Sequence, residues 1–279
     1  MGDTAKVLVI GATFAGIGLA RRLGSQGLLV ERTMLVGHEF INSYRPGHNW
    51  NRTPRSTLTE QLREQWVSRS LLNEAGGVHL GGLAPTVHKL LLESRQPIRL
   101  MTEVLEVRPR SEAGYEVTLL DASGIRCICV EQIVDTTSEC RSAGGKMPLG
   151  SKFIGAVLHR ETASSAEQSP DIPAEHAELV TSGLFASEAY LQFPVDASST
   201  WDMARDQLHH YWKSRPESLR QWTIAAMADM FSVRTQAQHV KLGEGWIWMP
   251  SCGFDNPLHA MDEGFQYGEE VLKHELSLS

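Results

Sequence analysis

The chain is poor in several things that would have decided its role at once. It has 4 cysteines in 279 residues, at positions 127, 129, 140 and 252. Cys127 and Cys129 stand two apart in a strand-like run and share a face, which is poor geometry for a disulfide between them. No His or Cys cluster supplies the ligands of a metal site. Free thiols are the expectation, and with them a reducing, cytoplasmic setting. Basic residues are in deficit: 26 Lys and Arg against 33 Asp and Glu give a net charge of −7. That balance argues against a nucleic-acid face and against an anionic membrane surface. No apolar run approaches the roughly 20 residues needed to span a bilayer. The short N-terminal apolar run leads straight into a glycine turn and does not read as a signal peptide. Position 6 is Lys, so the myristoylation pattern after Gly2 fails. There is no Tyr-x-x-x-Lys pair for short-chain dehydrogenase chemistry.

What is present begins at Val7. Four apolar residues, Val7 to Ile10, run without a polar break, as a central parallel strand does. Gly11 permits a sharp turn, and Gly16 lets a helix pack close to the strand. Leu28-Leu-Val-Glu31 reads as a second strand ending in an acid 20 positions after Gly11. This is the spacing at which a dinucleotide-binding unit sets a carboxylate on a ribose hydroxyl. The diphosphate of such a ligand sits at the helix N-terminus, where free N–H groups and the helix dipole favour negative charge. In Gly-x-Gly-x-x-Gly the middle glycine is here Thr13, whose hydroxyl either donates to a phosphate or crowds it.

The rest divides by pattern. Residues 33 to 54 form a polar loop entered from the second strand, with Arg45 and Arg52 available to a phosphate or to solvent. Helices are expected over 59–72 and 85–93, and a strand at 98–101. An antiparallel meander follows over 103–110, 115–120 and 125–130, leading into Ile133-Val-Asp-Thr-Thr137. Residues 141–180 lack pattern and read as a flexible crossing. Residues 184–195 read as a strand pair or one long strand, and 201–212 and 219–231 as helices. The section 184–231 is rich in Trp and Met, as a core or an adaptable apolar pocket is. A short aromatic strand at 246–249 leads to a helix capped by Asn256, with Pro257 in its first turn. Ala260, Gly264 and Gly268 recur every four residues, leaving one helix face thin.

Three separated pieces, the strand–glycine–helix start with Glu31, the meander ending at Thr137, and the Asn256-Pro-Leu-His-Ala260 helix, together resemble the FAD-dependent oxidoreductases of the glutathione-reductase-like superfamily. The resemblance covers residues 5–45, 98–140 and 245–275. It implies an α/β fold: a Rossmann-like parallel sheet with a β-meander, plus a smaller inserted α+β substrate region. It implies a discontinuous FAD domain over 1–150 and 240–279, and a cap over 151–239. The residues it places on FAD are Gly11, Thr13, Phe14, Ala15, Gly16, Glu31, Arg32, His38, Arg45, Val104, Asp135, Thr136, Asn256 and Pro257. His259 is the first candidate for a group beside the flavin, the other reading being a half-exposed helix histidine. Cys252 is the second candidate, as a thiol near a helix start. Departures from the pattern are Thr13, His38 in place of a second glycine, and Ser138 after Thr137. A second dinucleotide fingerprint is absent, so electrons would come from the substrate, a transient reductant or a separate flavin reductase. Gly245-Trp-Ile-Trp-Met-Pro250 is similar to the paired-tryptophan motif of flavin-dependent halogenases, and we read it as a buried aromatic strand. The expected activity is dehydrogenation or monooxygenation of a small, largely apolar metabolite. The alternative is a degenerate relative with a non-redox role, as a cyclase, an isomerase or a binding subunit.

Overall fold

The computed structural model describes residues 4–94, 96–145, 150–161 and 180–276. The uninterrupted apolar run becomes strand β1 (Thr4–Ile10), and the chain turns at Gly11 into helix α1 (Phe14–Leu23). Gly16 is needed there: a Cβ would stand 2.1 Å from the Gly11 carbonyl oxygen. Strand β2 (Gly27–Val30) returns parallel to β1. Helices α2 (Thr57–Ser68) and α3 (Leu80–Leu92) follow, then the short β3 (Ile98–Arg99) beside β2. The meander is β4 (Glu103–Pro109), β5 (Tyr115–Asp121) and β6 (Gly124–Asp135). Strand β6 is long enough to serve twice. Its first half pairs antiparallel with β5, and its second half lies parallel to β1.

A second, antiparallel sheet has the order β10-β7-β9-β8. Its strands are β7 (Ser151–His159), β8 (Val180–Ser182), β9 (Glu188–Val195) and β10 (Thr223–Arg234). Helix α4 (Trp201–Lys213) covers one face, and a core forms there from Ile154, Leu191, Leu208 and Trp222. Two expectations fail in this region. Residues 151–159 of the supposed crossing are an inner strand of the sheet, while 146–149 and 162–179 lie outside the described residues. Residues 223–231 are strand rather than helix. Their Ala and Met content favours helix locally, and antiparallel pairing with β7 at both ends of the strand, across two breaks in register, overrides that weak preference.

The chain then rejoins the first sheet through β11 (Val240–Gly243) and β12 (Trp246–Trp248), the latter parallel to β6. Helix α5 (Pro257–Leu276) closes the described chain. Its thin face lies on α1 with backbones almost touching: a Cβ on Gly264 would be 2.0 Å from the Ala15 carbonyl oxygen. The α/β class and the parallel sheet with meander stand as expected. All four cysteines are free, and no described helix is long and apolar enough to cross a membrane.

Candidate cofactor site

The first turn of α1 is the place to test. Its amides have no partner within the helix and must find one outside it. Each is taken by this chain's own side chains. The Phe14 amide donates to Glu39 Oε1 at 2.8 Å. The Ala15 amide donates to Ser251 Oγ at 3.2 Å. The Gly16 amide donates to Thr13 Oγ1 at 3.1 Å, which makes Thr13 the N-cap. Ser251 in turn donates its hydroxyl proton to Glu39 Oε1 at 2.6 Å. Thr13 and Thr136 share a 2.7 Å hydroxyl contact, and Thr136 donates to the Ile10 carbonyl. Residues 11–20 are all buried.

Glu31 ends up at the tip of β2 as the spacing requires. Its Oε2 accepts from the Ala12 amide at 3.0 Å, and its Oε1 accepts from the Thr33 amide and hydroxyl at 2.8 Å. It is 4% exposed. Glu39 is equally buried, and burial raises its pKa above the ordinary carboxylate range.

The remaining candidates are spoken for. The Phe14 ring packs edge-on against Phe40 and Trp66 in the main core. Arg45 is buried over the Phe40 ring and donates to the carbonyls of Cys252 at 2.7 Å and Phe254 at 2.9 Å. Burial brings its pKa down to about 10. Asp135 is fully buried; its two oxygens accept from Thr137 and from the Ser142 amide, and burial raises its pKa. Val104 packs on the meander core, and Arg32 is exposed. His38 is half-buried, with an Nδ1 that has no hydrogen-bond partner among the described residues. Cys252 is buried and its thiol pKa is raised by burial, the reverse of a reactive thiolate.

Asn256 and Pro257 start α5 as expected, with Asn256 Oδ1 accepting from the His259 amide at 2.9 Å. His259 is buried in a charged network. Its Nδ1 accepts from the Asp255 amide and its Nε2 faces Glu263 at 3.2 Å. Arg52 and Arg55 bind the same Glu263 carboxylate. That pairing, His259 first, lowers the Glu263 pKa to about 2. The adjoining cavity, bounded by Trp50 and His259, holds only about 10 Å³. A larger one of about 460 Å³ lies outside it, between residues 51–54 and α2.

The second sheet leaves no gap beneath itself where it meets residues 43 and 44. A Cβ on Gly155 would be 2.1 Å from the Ser43 carbonyl oxygen, and Gln192 Nε2 donates to the Tyr44 carbonyl at 2.9 Å. The paired tryptophans are structural bolts: Trp246 donates to Ser142 Oγ and Trp248 to the Thr137 carbonyl.

Sequence reasoning missed Glu39 and Ser251. The available signal was the sign of Glu39: an acid two residues beyond Gly37, in a loop expected to cover a diphosphate, has the wrong charge for that task. With Glu39 and Ser251 in these positions, the residues present do not fit a dinucleotide diphosphate. The helix amides are taken and the groove is filled.

No protein-family model matches the chain, and no curated protein matches it. Solved structures do share its fold. A myxobacterial FAD-dependent halogenase, the chondrochloren halogenase, superposes with a TM-score of 0.59 at 14% identity, covering 98% of this chain and 79% of that one. p-Nitrophenol 4-monooxygenase from Pseudomonas putida gives a TM-score of 0.58 at 11% identity, covering 97% of this chain and 79% of that one. Aklavinone-11 hydroxylase, solved with FAD and aklavinone, gives 0.56 at 15% identity and 97% of this chain. This chain spans 63% of that hydroxylase's length. The fold is therefore the FAD-binding Rossmann-like fold found in flavin monooxygenases and halogenases.

Proposed function

We propose that this chain is an FAD-dependent oxidoreductase whose cleft is shut in the arrangement above and admits the cofactor only on opening. One observation supports the reading most directly. Glu31 stands at the end of β2, hydrogen-bonded to the amide after Gly11, where a dinucleotide-binding unit keeps the carboxylate for its ribose. The company of the fold points the same way, since the neighbours include FAD-dependent enzymes. Membership of the glutathione-reductase-like superfamily is the finer form of this reading. A small, largely apolar substrate and a separate flavin reductase complete it. The substrate class draws on the aromatic and Met-rich segment 184–231.

The test is the visible absorbance of the purified protein, before and after incubation with excess FAD. A flavin spectrum that survives desalting supports the proposal. Protein that stays colourless both as the native chain and with Glu39, the acid on the Phe14 amide, replaced sinks it.

A second reading rests on the filled groove itself. A chain that supplies its own partners to all three amides of the first turn has no need of a ligand there. Such a chain keeps the architecture and works without redox chemistry, as a cyclase, an isomerase or a binding subunit. Failure of FAD uptake in the native protein and in every opened variant leaves this reading standing.

A further inference from the structure

The N-terminus of α1 is an anion site by construction, because its free amides and the helix dipole both favour negative charge. What occupies it here is a side chain from the loop that follows β2. Glu39 Oε1 takes two hydrogen bonds, from the Phe14 amide and the Ser251 hydroxyl. Its other oxygen, Oε2, is buried with no hydrogen-bond partner among the described residues. A buried carboxyl group with one orphaned oxygen is an expensive structural element. The Nδ1 of the adjacent His38 likewise has no hydrogen-bond partner among the described residues. The glutamate thus takes the donors at this helix start through one oxygen and leaves its other oxygen without a donor.

The loop is pinned from behind. Arg45 ties it to the Cys252 and Phe254 carbonyls, next to Ser251, and the Gly37 amide donates to the Ala12 carbonyl at 2.7 Å. The acid therefore does not reach the helix by chance swing of a free side chain. It is delivered by a braced turn.

We propose that the Glu39 carboxyl group, clasped by Ser251, is a built-in occupant of the diphosphate position, and that it keeps nucleotides out of the native chain until it is displaced. This deepens the oxidoreductase reading and rests on it only for the identity of the excluded ligand. The shared chemistry of whatever fits after displacement is a phosphate or diphosphate oxyanion.

The experiment compares the native protein with Glu39→Ala. Inorganic pyrophosphate, ADP and FAD are each titrated by calorimetry, and FAD also by its fluorescence. Circular dichroism and a thermal melt establish that the variant is folded. The native chain is expected to bind none of the three measurably. Glu39→Ala is expected to bind pyrophosphate and ADP at least about tenfold more tightly than the native chain, because a like charge has left the first helical turn. Should Glu39→Ala not fold, Glu39→Ser, which leaves a small polar group facing Ser251, replaces it in the same titrations.

The outcomes separate the two proposals. Pyrophosphate and FAD both bound by the variant support the occupant and the FAD reading together. Pyrophosphate bound without FAD supports the occupant and removes the FAD reading. Native protein that already carries FAD overturns the occupant. So does a folded variant that binds no oxyanion.

Discussion

Helices α1 and α5 are pressed together along their thin faces, yet their N-termini are furnished in opposite ways. The start of α1 is dry. Thr13 and Ser251 are fully buried, Glu31 and Glu39 nearly so, and the partners are amides and hydroxyls. The start of α5 is ionic and half-open. His259, Asp255 and Glu263 meet Arg52 and Arg55, whose side chains are 41% and 46% exposed. The two carboxyl groups that matter most respond in opposite directions. Burial pushes Glu39 up, while His259 and Arg55 hold Glu263 down at about 2. The difference teaches that a helix start can be satisfied either by closing it or by salting it. Only the first way abolishes an anion site.

The largest expected effect breaks the premise that the two helices touch backbone to backbone. Gly264→Ala puts a Cβ 2.0 Å from the Ala15 carbonyl oxygen, so α5 must lift away from α1. An exposed helical Gly→Ala change is ordinarily favourable by about 1 kcal/mol. Here the overpacking reverses the sign, and a loss of about 3 kcal/mol is expected. Gly81→Ala in α3, which meets nothing within 4 Å, is the control. Thermal melts of the two variants should move in opposite directions. Equal melts would show that the helices are not in contact.

Next comes the brace that delivers Glu39. Arg45→Met keeps bulk over Phe40 and removes the donors to the Cys252 and Phe254 carbonyls. Leaving those acceptors unpaired costs about 2–3 kcal/mol, read from denaturant unfolding. A variant as stable as the native chain would show that the loop is held some other way.

How far the sequence foretold this comparison depends on how local each feature is. The β1–Gly11–α1 turn, Glu31, the meander and the Asn256 cap were legible because each depends on residues close in the chain and on a fixed period. Strand β10 was not, because its alanines and methionines state a local preference that a distant partner, β7, overrules. The closed groove was least legible of all. Ser251 and Glu39 meet across 212 positions, and nothing in either segment names the other. Arg45 shows the same limit from the other side. The sequence marks a cation in the right loop but not whether carbonyls or a phosphate receive it.

The opposite carboxyl shifts give a pH test of the contrast. Glu263 has a lowered pKa in the fold, so its contribution is present above its ordinary value of 4.5 and is lost as pH falls towards about 2. Glu263→Gln should therefore be less stable than the native chain at neutral pH by about 1–2 kcal/mol, a figure reduced for the exposure of its arginine partners, and equal to it near pH 2. Glu39 has a raised pKa, so its burden on the fold grows as pH rises above 4.5. Glu39→Gln should gain on the native chain with rising pH. Parallel stability-against-pH curves for the two variants would erase the distinction between the two helix starts.

The smallest effect on stability sharpens the comparison most. Thr13 holds the position where the dinucleotide fingerprint wants its middle glycine, so on sequence alone it is the obvious obstacle to a cofactor. In the fold its hydroxyl caps the Gly16 amide and meets Thr136. Thr13→Gly loses both bonds, but glycine is itself a tolerable N-cap, and the cost should stay below about 1 kcal/mol. If Thr13 were the barrier, this variant would take up FAD. With Glu39 still on the Phe14 amide and Ser251 on the Ala15 amide, two of the three first-turn donors remain taken, and no flavin absorbance should appear. A yellow Thr13→Gly protein would move the obstacle from the loop acid to the turn, and with it the reason that this helix start is closed.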